Sequence, residues 1–311
     1  MDMYDAIVIG GGAAGLAGAV TLARARRRVL VVDAGEPRNA PAEGVHGYLG
    51  RDGVSPARLL ADGRAELTSY GGEITAGEVV DARREADGFT VATRDGEVRR
   101  ARRLLVTTGL TDELPPIPGL AERWGRTVLH CPYCHGWEVR DEPVGILATG
   151  PLAFALHQAS LWRQWTDTLT LFLHTAGEPG DDDRARLAAR GVAIVRGEVT
   201  ALADDGVHVD GRVVPVRAVV AGTRLTARAG FLASLGLKPE AQEMMGHVVG
   251  ERVPSDPMTG VTAVPGVWAA GNVTSLMDQV VAAAAGGVRA AGALNYDLVE
   301  DDTRRALEQE A

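Results

Sequence analysis

The chain has 311 residues, 46% of them hydrophobic, with 39 glycines, two cysteines and a net charge of −9. That length supports two domains, and the acidic balance excludes a surface built to track nucleic-acid phosphates. No long apolar run is free of charge, and residues 1–5 contain no basic stretch or apolar leader segment, so we expect no membrane span and a cytoplasmic location. Basic residues are nearly all arginine, with Lys238 the sole lysine, which reads as base composition and not as a binding patch.

Ala6, Ile7, Val8 and Ile9 form a short apolar strand that runs into Gly10, Gly11, Gly12, Ala13, Ala14 and Gly15, then a helix to about Arg26. A second strand over residues 29–32 ends in Asp33. This is a strand–turn–helix–strand pattern with an acid at the spacing a bound dinucleotide needs. Gly10 permits the tight turn, Gly12 lets backbone approach a pyrophosphate, and Gly15 lets the helix pack on the strand. The helix start at Ala13 and Ala14 offers N–H groups and a positive dipole end to phosphates. Asp33 would accept from ribose hydroxyls. A glycine-rich turn without a ligand is the alternative, and the placement between strand and helix argues against it.

Residues 76–106 alternate polar and apolar with turns at Asp87-Gly88 and Asp95-Gly96, which predicts a small antiparallel meander. Leu104, Leu105 and Val106 predict a further buried strand, leading to Thr107, Thr108 and Gly109. The Pro-rich residues 114–119 predict a crossing into a second unit. There, strands at 143–147, 169–173 and 192–195 alternate with helices at about 152–165 and 184–190, and residues 213–221 end it. From about Gly246 the chain is expected to rejoin the first unit. Residues 266–272 read as a strand and glycine turn, and an Ala-rich helix begins near Asp278.

Cys131-Pro132-Tyr133-Cys134 holds both cysteines. A structural disulfide across so short a loop stabilises little, and a zinc site would need further ligands that no second CxxC supplies. A redox dithiol is the economical reading: one sulfur exchanges with substrate and the other resolves. His130 and His135 bracket the motif. His135 is the better acid–base candidate, because imidazole titrates near working pH; a structural hydrogen-bonding role is its alternative. Glu138 could orient His135. Tyr133 and Trp137 read as packing residues before substrate platforms, and His46 and His157 are unassigned.

The order of motifs resembles the thioredoxin reductase family of flavoproteins: Gly10-x-Gly12-x-x-Gly15, Asp33, Thr107-Thr108-Gly109, Cys131-x-x-Cys134, and Gly271-Asn272 before the last helix. The resemblance covers nearly the whole chain. It implies an α/β fold of two Rossmann-like dinucleotide-binding domains, the second inserted in the first, in a homodimer. Residues 1–113 and 246–311 would bind FAD, and residues 114–245 would carry the CxxC. Thr108, Gly109, Gly271 and Asn272, with Ala34 and Arg38, would contact FAD. Asn272 stands where the family has aspartate, and an amide can still hydrogen-bond a ribityl hydroxyl. N–H groups around Gln279 and Val280 would face the flavin pyrimidine carbonyl and favour the anionic reduced form. Cys134 would face the flavin and Cys131 would be the interchange thiol.

Two departures redirect the expectation. The family's second glycine turn, for NADPH, reads Ala148-Thr149-Gly150-Pro151 here. Its basic cluster for the 2′-phosphate is replaced by a loop with Glu178, Asp181, Asp182 and Asp183 and no arginine, where like charge would oppose phosphate. Residues 131–138, with His135 after the second cysteine, and residues 33–39 are similar to the dithiol oxidases of disulfide natural-product pathways, the holomycin and gliotoxin types. The resemblance implies electron flow from a small-molecule dithiol through Cys131 and Cys134 to FAD and then to O2, releasing H2O2. A reductase using another electron donor and a non-catalytic redox-sensing flavoprotein are the competing readings.

Overall fold

The structure, a computed structural model, describes residues 3–310; where the expectations above include residues 1, 2 and 311, they lie outside the described residues. The chain opens with β1 (Met3–Ile9), α1 (Ala13–Arg24), β2 (Val29–Asp33), α2 (Pro56–Ser69) and β3 (Glu73–Ala76). β1 and β2 are parallel, with Val8 opposite Val31, and β3 adds outside β2. Ala6 to Ile9 are all buried, because both faces of this strand are covered. α1 stops at Arg24, short of the expected Arg26, which takes a left-handed φ of 64° that no helix interior accommodates.

β4 (Val79–Glu85), β5 (Gly88–Thr93) and β6 (Val98–Val106) form the expected antiparallel meander. The separate strand expected at 104–106 is instead the end of β6. Its first half closes the meander and its second half enters the parallel sheet, with Leu105 opposite Val8.

β7 (Leu110–Glu113) leads to the second unit: β8 (Val128–Leu129), α3 (Pro132–His135), β9 (Val144–Leu147), α4 (Leu152–Trp162), β10 (Leu169–Phe172), α5 (Asp181–Ala189) and β11 (Ala193–Val195). β12 (Val199–Ala203), β13 (Gly206–Val209) and β14 (Arg212–Val214) form a small antiparallel sheet, and β15 (Ala218–Ala221) completes the parallel sheet of order β11-β10-β9-β15-β8. Val144, Ile146, Trp162 and Leu171 fill one face of it. α4 ends at Trp162, short of the expected 165, and Arg163 then turns outward to donate to the carbonyls of Arg190 and Thr166. α5 begins at Asp181, earlier than the expected 184. Asp181, Asp182 and Asp183 are therefore its first turn, where exposed N–H groups favour carboxylates, and not part of a loop.

β16 (Arg224–Ala227) runs antiparallel to β7, followed by β17 (Glu240–Met244), β18 (His247–Arg252), β19 (Val267–Ala269) and α6 (Val280–Glu310). The return to the first unit comes earlier than the expected 246. Ala227, Ala229, Leu232 and Leu237 already pack with Ile7, Ile9 and Phe89. Strands β17-β18-β16-β7 form a separate four-stranded sheet. α6 lies along α1 so closely that a Cβ on Gly287 would sit 1.9 Å from the carbonyl oxygen of Ala14. The far end of α6 is tied down at Asp301, 3% exposed, which accepts from Arg102 at 2.6 Å and from Arg304, and forms an ion pair with Arg305 at 3.0 Å.

Candidate active site

A cavity of about 1220 Å³ runs between the two units and reaches both the glycine turn and the cysteines. Its wall includes Gly10, Gly12, Ala13, Ala14, Asp33 and Ala34; Thr108, Gly109 and Asn272; and His130, Cys131, Cys134, His135, Gln279 and Val280. Gly15 and Gly271 are not on the wall. A Cβ on Gly15 would sit 1.9 Å from the carbonyl oxygen of Gly10, so this glycine lets α1 abut the end of β1 and shapes the turn from behind. Gly12 faces open space, and as the N-cap of α1 it makes no side-chain hydrogen bond, which leaves the first-turn N–H groups free for an anion. The Gly11 N–H donates to Asp33 Oδ1 at 3.0 Å, and Arg64, which sequence reasoning missed, donates to Oδ2 at 2.9 Å. Size, free helix N–H groups and an acid at the end of β2 fit an adenine dinucleotide.

Arg38 lines the cavity, but its guanidinium is committed elsewhere: Nε and Nη2 donate to the two oxygens of Asp112 at 2.7 and 2.8 Å. Arg38 therefore stands on the cavity wall with its guanidinium paired to Asp112. The Asp112 side chain is 6% exposed and needs a counter-charge. Burial raises its pKa, but Arg38 and the Thr223 hydroxyl at 2.9 Å outweigh that and hold it below the usual carboxylate range. Asn272 turns its Nδ2 to three carbonyls of the turn before α6, those of Ser275, Leu276 and Asp278. An aspartate there would set acceptor against acceptor. The amide's own acceptor oxygen is what it leaves for the cavity.

Cys131 is the N-cap of α3, and both cysteines are free thiols in contact with each other. The Cys134 S–H donates to Cys131. Burial opposes, the N–H groups of Cys134 and Tyr133 and the Gln279 amide assist, and the Cys131 thiol is pulled down to about 6. The same hydrogen bond, with burial and the nearby Cys131 charge, pushes Cys134 up. Gln279 Nε2 lies 3.9 Å from Cys134 Sγ. That contact crosses from the first unit to the second.

The imidazoles differ. Burial and then Arg38 lower the pKa of His130, with Asp112 opposing. Burial also lowers that of His135, with Glu138 opposing and His46 assisting. His46, unassigned from sequence, lines the same cavity; its Nε2 is 3.5 Å from Glu138 Oε1 and its Nδ1 is 3.1 Å from Asp52 Oδ1. His157 does not line the cavity. Tyr133 and Trp137 are not packing residues: they are 62% and 66% exposed, Tyr133 edge-on to Trp165 and Trp137 beneath the Arg140 guanidinium.

In the second unit, Ala148 is buried and the Thr149 hydroxyl donates to the Gly222 carbonyl at 3.1 Å. Phe154, in the first turn of α4, packs edge-on against His247 of β18, 5.7 Å between ring centroids. Glu178 does have an arginine partner: Arg196 reaches it from beyond β11 with two bonds, at 2.7 and 2.9 Å.

A family model described as pyridine nucleotide-disulphide oxidoreductase matches residues 4–287. The chain belongs to that family. Among solved members of this fold, the crystal structure of HlmI is 45% identical, with 99% of this chain and 96% of that one covered and a TM-score of 0.91. An oxidoreductase from Agrobacterium tumefaciens is 35% identical over 96% of this chain and 99% of its own, with a TM-score of 0.89. The thioredoxin reductase sirT of Leptosphaeria maculans is 32% identical over 97% of this chain and 96% of its own length. The thioredoxin reductase tcpT of Claviceps purpurea is 36% identical over 178 residues, and the alignment spans 56% of tcpT. This pyridine nucleotide-disulphide oxidoreductase therefore has a thioredoxin reductase-like fold of two Rossmann-like units. Among the described residues, no helix is long and apolar enough to cross a membrane.

Proposed function

We propose that the protein is an FAD-dependent dithiol oxidase that closes a disulfide within a small molecule, of the kind made in antibiotic biosynthesis, and passes the electrons to O2. One observation carries this reading: the Cys131–Cys134 pair, three imidazoles (His46, His130 and His135) and the glycine turn open into one cavity. The likeness to HlmI supports it. Ala148 in place of a glycine, and Phe154 packed against His247 at the start of α4, leave little to cradle a second dinucleotide.

The cofactor would lie with its phosphates at Gly12, Ala13 and Ala14 and its ribityl chain by Asn272. Bound FAD would supply a two-electron acceptor that O2 reoxidises, giving one H2O2 per substrate disulfide. The protein's own sulfurs do the exchange. One substrate thiolate attacks Cys131 of the Cys131–Cys134 disulfide and Cys134 leaves as thiolate. The second substrate thiolate then attacks the substrate sulfur of the mixed disulfide and expels Cys131. His135, neutral at working pH, takes the substrate thiol proton. A homodimer is part of this reading.

The names of sirT and tcpT favour a second reading, disulfide reduction. Anaerobic bleaching of the flavin separates the two. Dithiothreitol, reduced thioredoxin and NADPH are each added, and the small dithiol is expected to bleach. Bleaching by NADPH alone overturns the oxidase.

A further inference from the structure

The chain passes between its two units twice, out along β7 and back through Gly222, Thr223 and β16. The two crossings pair antiparallel, with Asp112 opposite Leu225. One buried carboxylate joins them. Asp112 accepts from the Thr223 hydroxyl of the return crossing at 2.9 Å and from Nε and Nη2 of Arg38 at 2.7 and 2.8 Å. Arg38 belongs to the first unit's loop after β2, on the cavity wall. Two residues before it, the Glu36 carbonyl accepts from Arg228 at 3.0 Å. Arg228 also donates to Thr111 at 3.0 Å, and Thr111 alternates to the face of β7 opposite Asp112. The loop therefore holds both faces of the paired crossings.

This clasp sits where the dithiol emerges. β8 and β15 are parallel neighbours, with Leu129 opposite Val220. Cys131 comes two residues after Leu129 and Thr223 three after Val220, so both leave the same end of the sheet. Thr149, after β9, donates to the Gly222 carbonyl at 3.1 Å and ties the turn beside Thr223 to that end. On the first-unit side, Leu110 and Leu225 of the crossings pack with Leu276, three residues before the Gln279 amide that reaches Cys134. We propose that Asp112 is a positioning residue: by binding Arg38 and Thr223 together it fixes the second unit so that the dithiol faces the cofactor. The consequence for turnover rests on the oxidase reading above; the arrangement of the units does not. An arginine–carboxylate fork sets direction as well as distance, which an apolar contact does not. A carboxylate 6% exposed also gives up its partner only at high cost, because a lone buried charge is strongly unfavourable.

Three variants of the FAD-loaded protein separate positioning from mere stability. Thr223→Val removes one bond and keeps the shape. Arg38→Met leaves the carboxylate unpaired. Arg38→Met with Asp112→Leu puts an apolar pair in place of the charged one, which restores stability. Small-angle scattering reads the arrangement of the units. In a Cys131→Ser background, the long-wavelength charge-transfer band reads the approach of Cys134 to the flavin, and bound FAD is measured on every sample. Arg38→Met and the double variant are expected to change the scattering curve and lose most of the band, and Thr223→Val to lose part of it. In the double variant kcat for dithiothreitol should fall by about 10²-fold, the scale of a misplacement of about 1 Å, with KM changed less. A double variant with wild-type scattering and the full band overturns the proposal, because packing alone then positions the dithiol. A band lost only in proportion to bound FAD overturns it too, since Arg38 then acts as a cofactor contact. Should Arg38→Met fail to fold, Thr223→Val and the double variant decide the matter. Changed scattering in a protein that oxidises no dithiol supports the clasp and overturns the oxidase reading.

Discussion

The side-chain amide of Gln279, one residue before α6, lies 3.9 Å from the sulfur of Cys134 in the other unit. It is a donor aimed at the thiol that the Cys131 hydrogen bond and burial otherwise keep protonated. Cys131→Ser removes the charge next door, and in FAD-loaded protein it should give a long-wavelength charge-transfer band from the Cys134 thiolate. Adding Gln279→Leu should shift that band's appearance to higher pH, since the thiolate loses a donor. Absorbance against pH measures both. A band in Cys134→Ser instead would invert the roles of the two sulfurs.

Cys131 should be the reactive thiol of the reduced protein. With its thiol held at about 6, alkylation by iodoacetamide should rise through that pH and level off below pH 8, and peptide mapping should place the adduct on Cys131. Alkylation that keeps rising beyond pH 8, or that falls on Cys134, counts against the hydrogen-bond direction.

Nicotinamide cofactors should reduce the flavin poorly. Phe154 and His247 close over the start of α4, and Pro151 is its N-cap. Under anaerobic conditions, NADPH and NADH should bleach the flavin far more slowly than dithiothreitol. Rapid, saturable bleaching by either would return the chain to the reductases.

Asp301 should make the fold acid-sensitive. Burial alone would raise its pKa, but Arg102, Arg103 and Arg305 outweigh burial and depress it. A depressed carboxylate contributes stability that is present above its unfolded-state pKa and lost as pH falls through the folded one. Asp301→Asn should cost roughly 3 kcal/mol at pH 7, the scale of breaking a buried ion pair. The difference from wild type should shrink as the pH falls through the carboxylate range. Urea denaturation at a series of pH values checks it. A constant difference at every pH would mean that shape, and not charge, holds this end of α6.

The strand–turn–helix from Ala6 to Arg24, the acid at Asp33 and the Cys131–Cys134 spacing were legible in the residues alone. Each is a local matter, fixed by how far a turn, a helix repeat or a short loop can reach. The ends of elements were less legible. Arg26 ended a helix by adopting a left-handed φ, and Asp181 began one because carboxylates suit a helix N-terminus. What faces what across the chain was decided only by tertiary structure. The pairing of Arg38 with Asp112 of β7 has no sequence signal and shows only in the fold. His46 has no sequence pattern linking it to Glu138; the loop between β2 and α2, pinned where Val45 bridges Val54, brings them together. Tyr133 and Trp137 look like packing residues and stand in solvent; α3 is a short turn whose buried face is filled by Pro132, and Trp137 follows it under the Arg140 guanidinium. Periodicity reports which face of an element is apolar. It carries no information on which distant charge will neutralise a buried one, because that pairing depends on where two folded units come to rest.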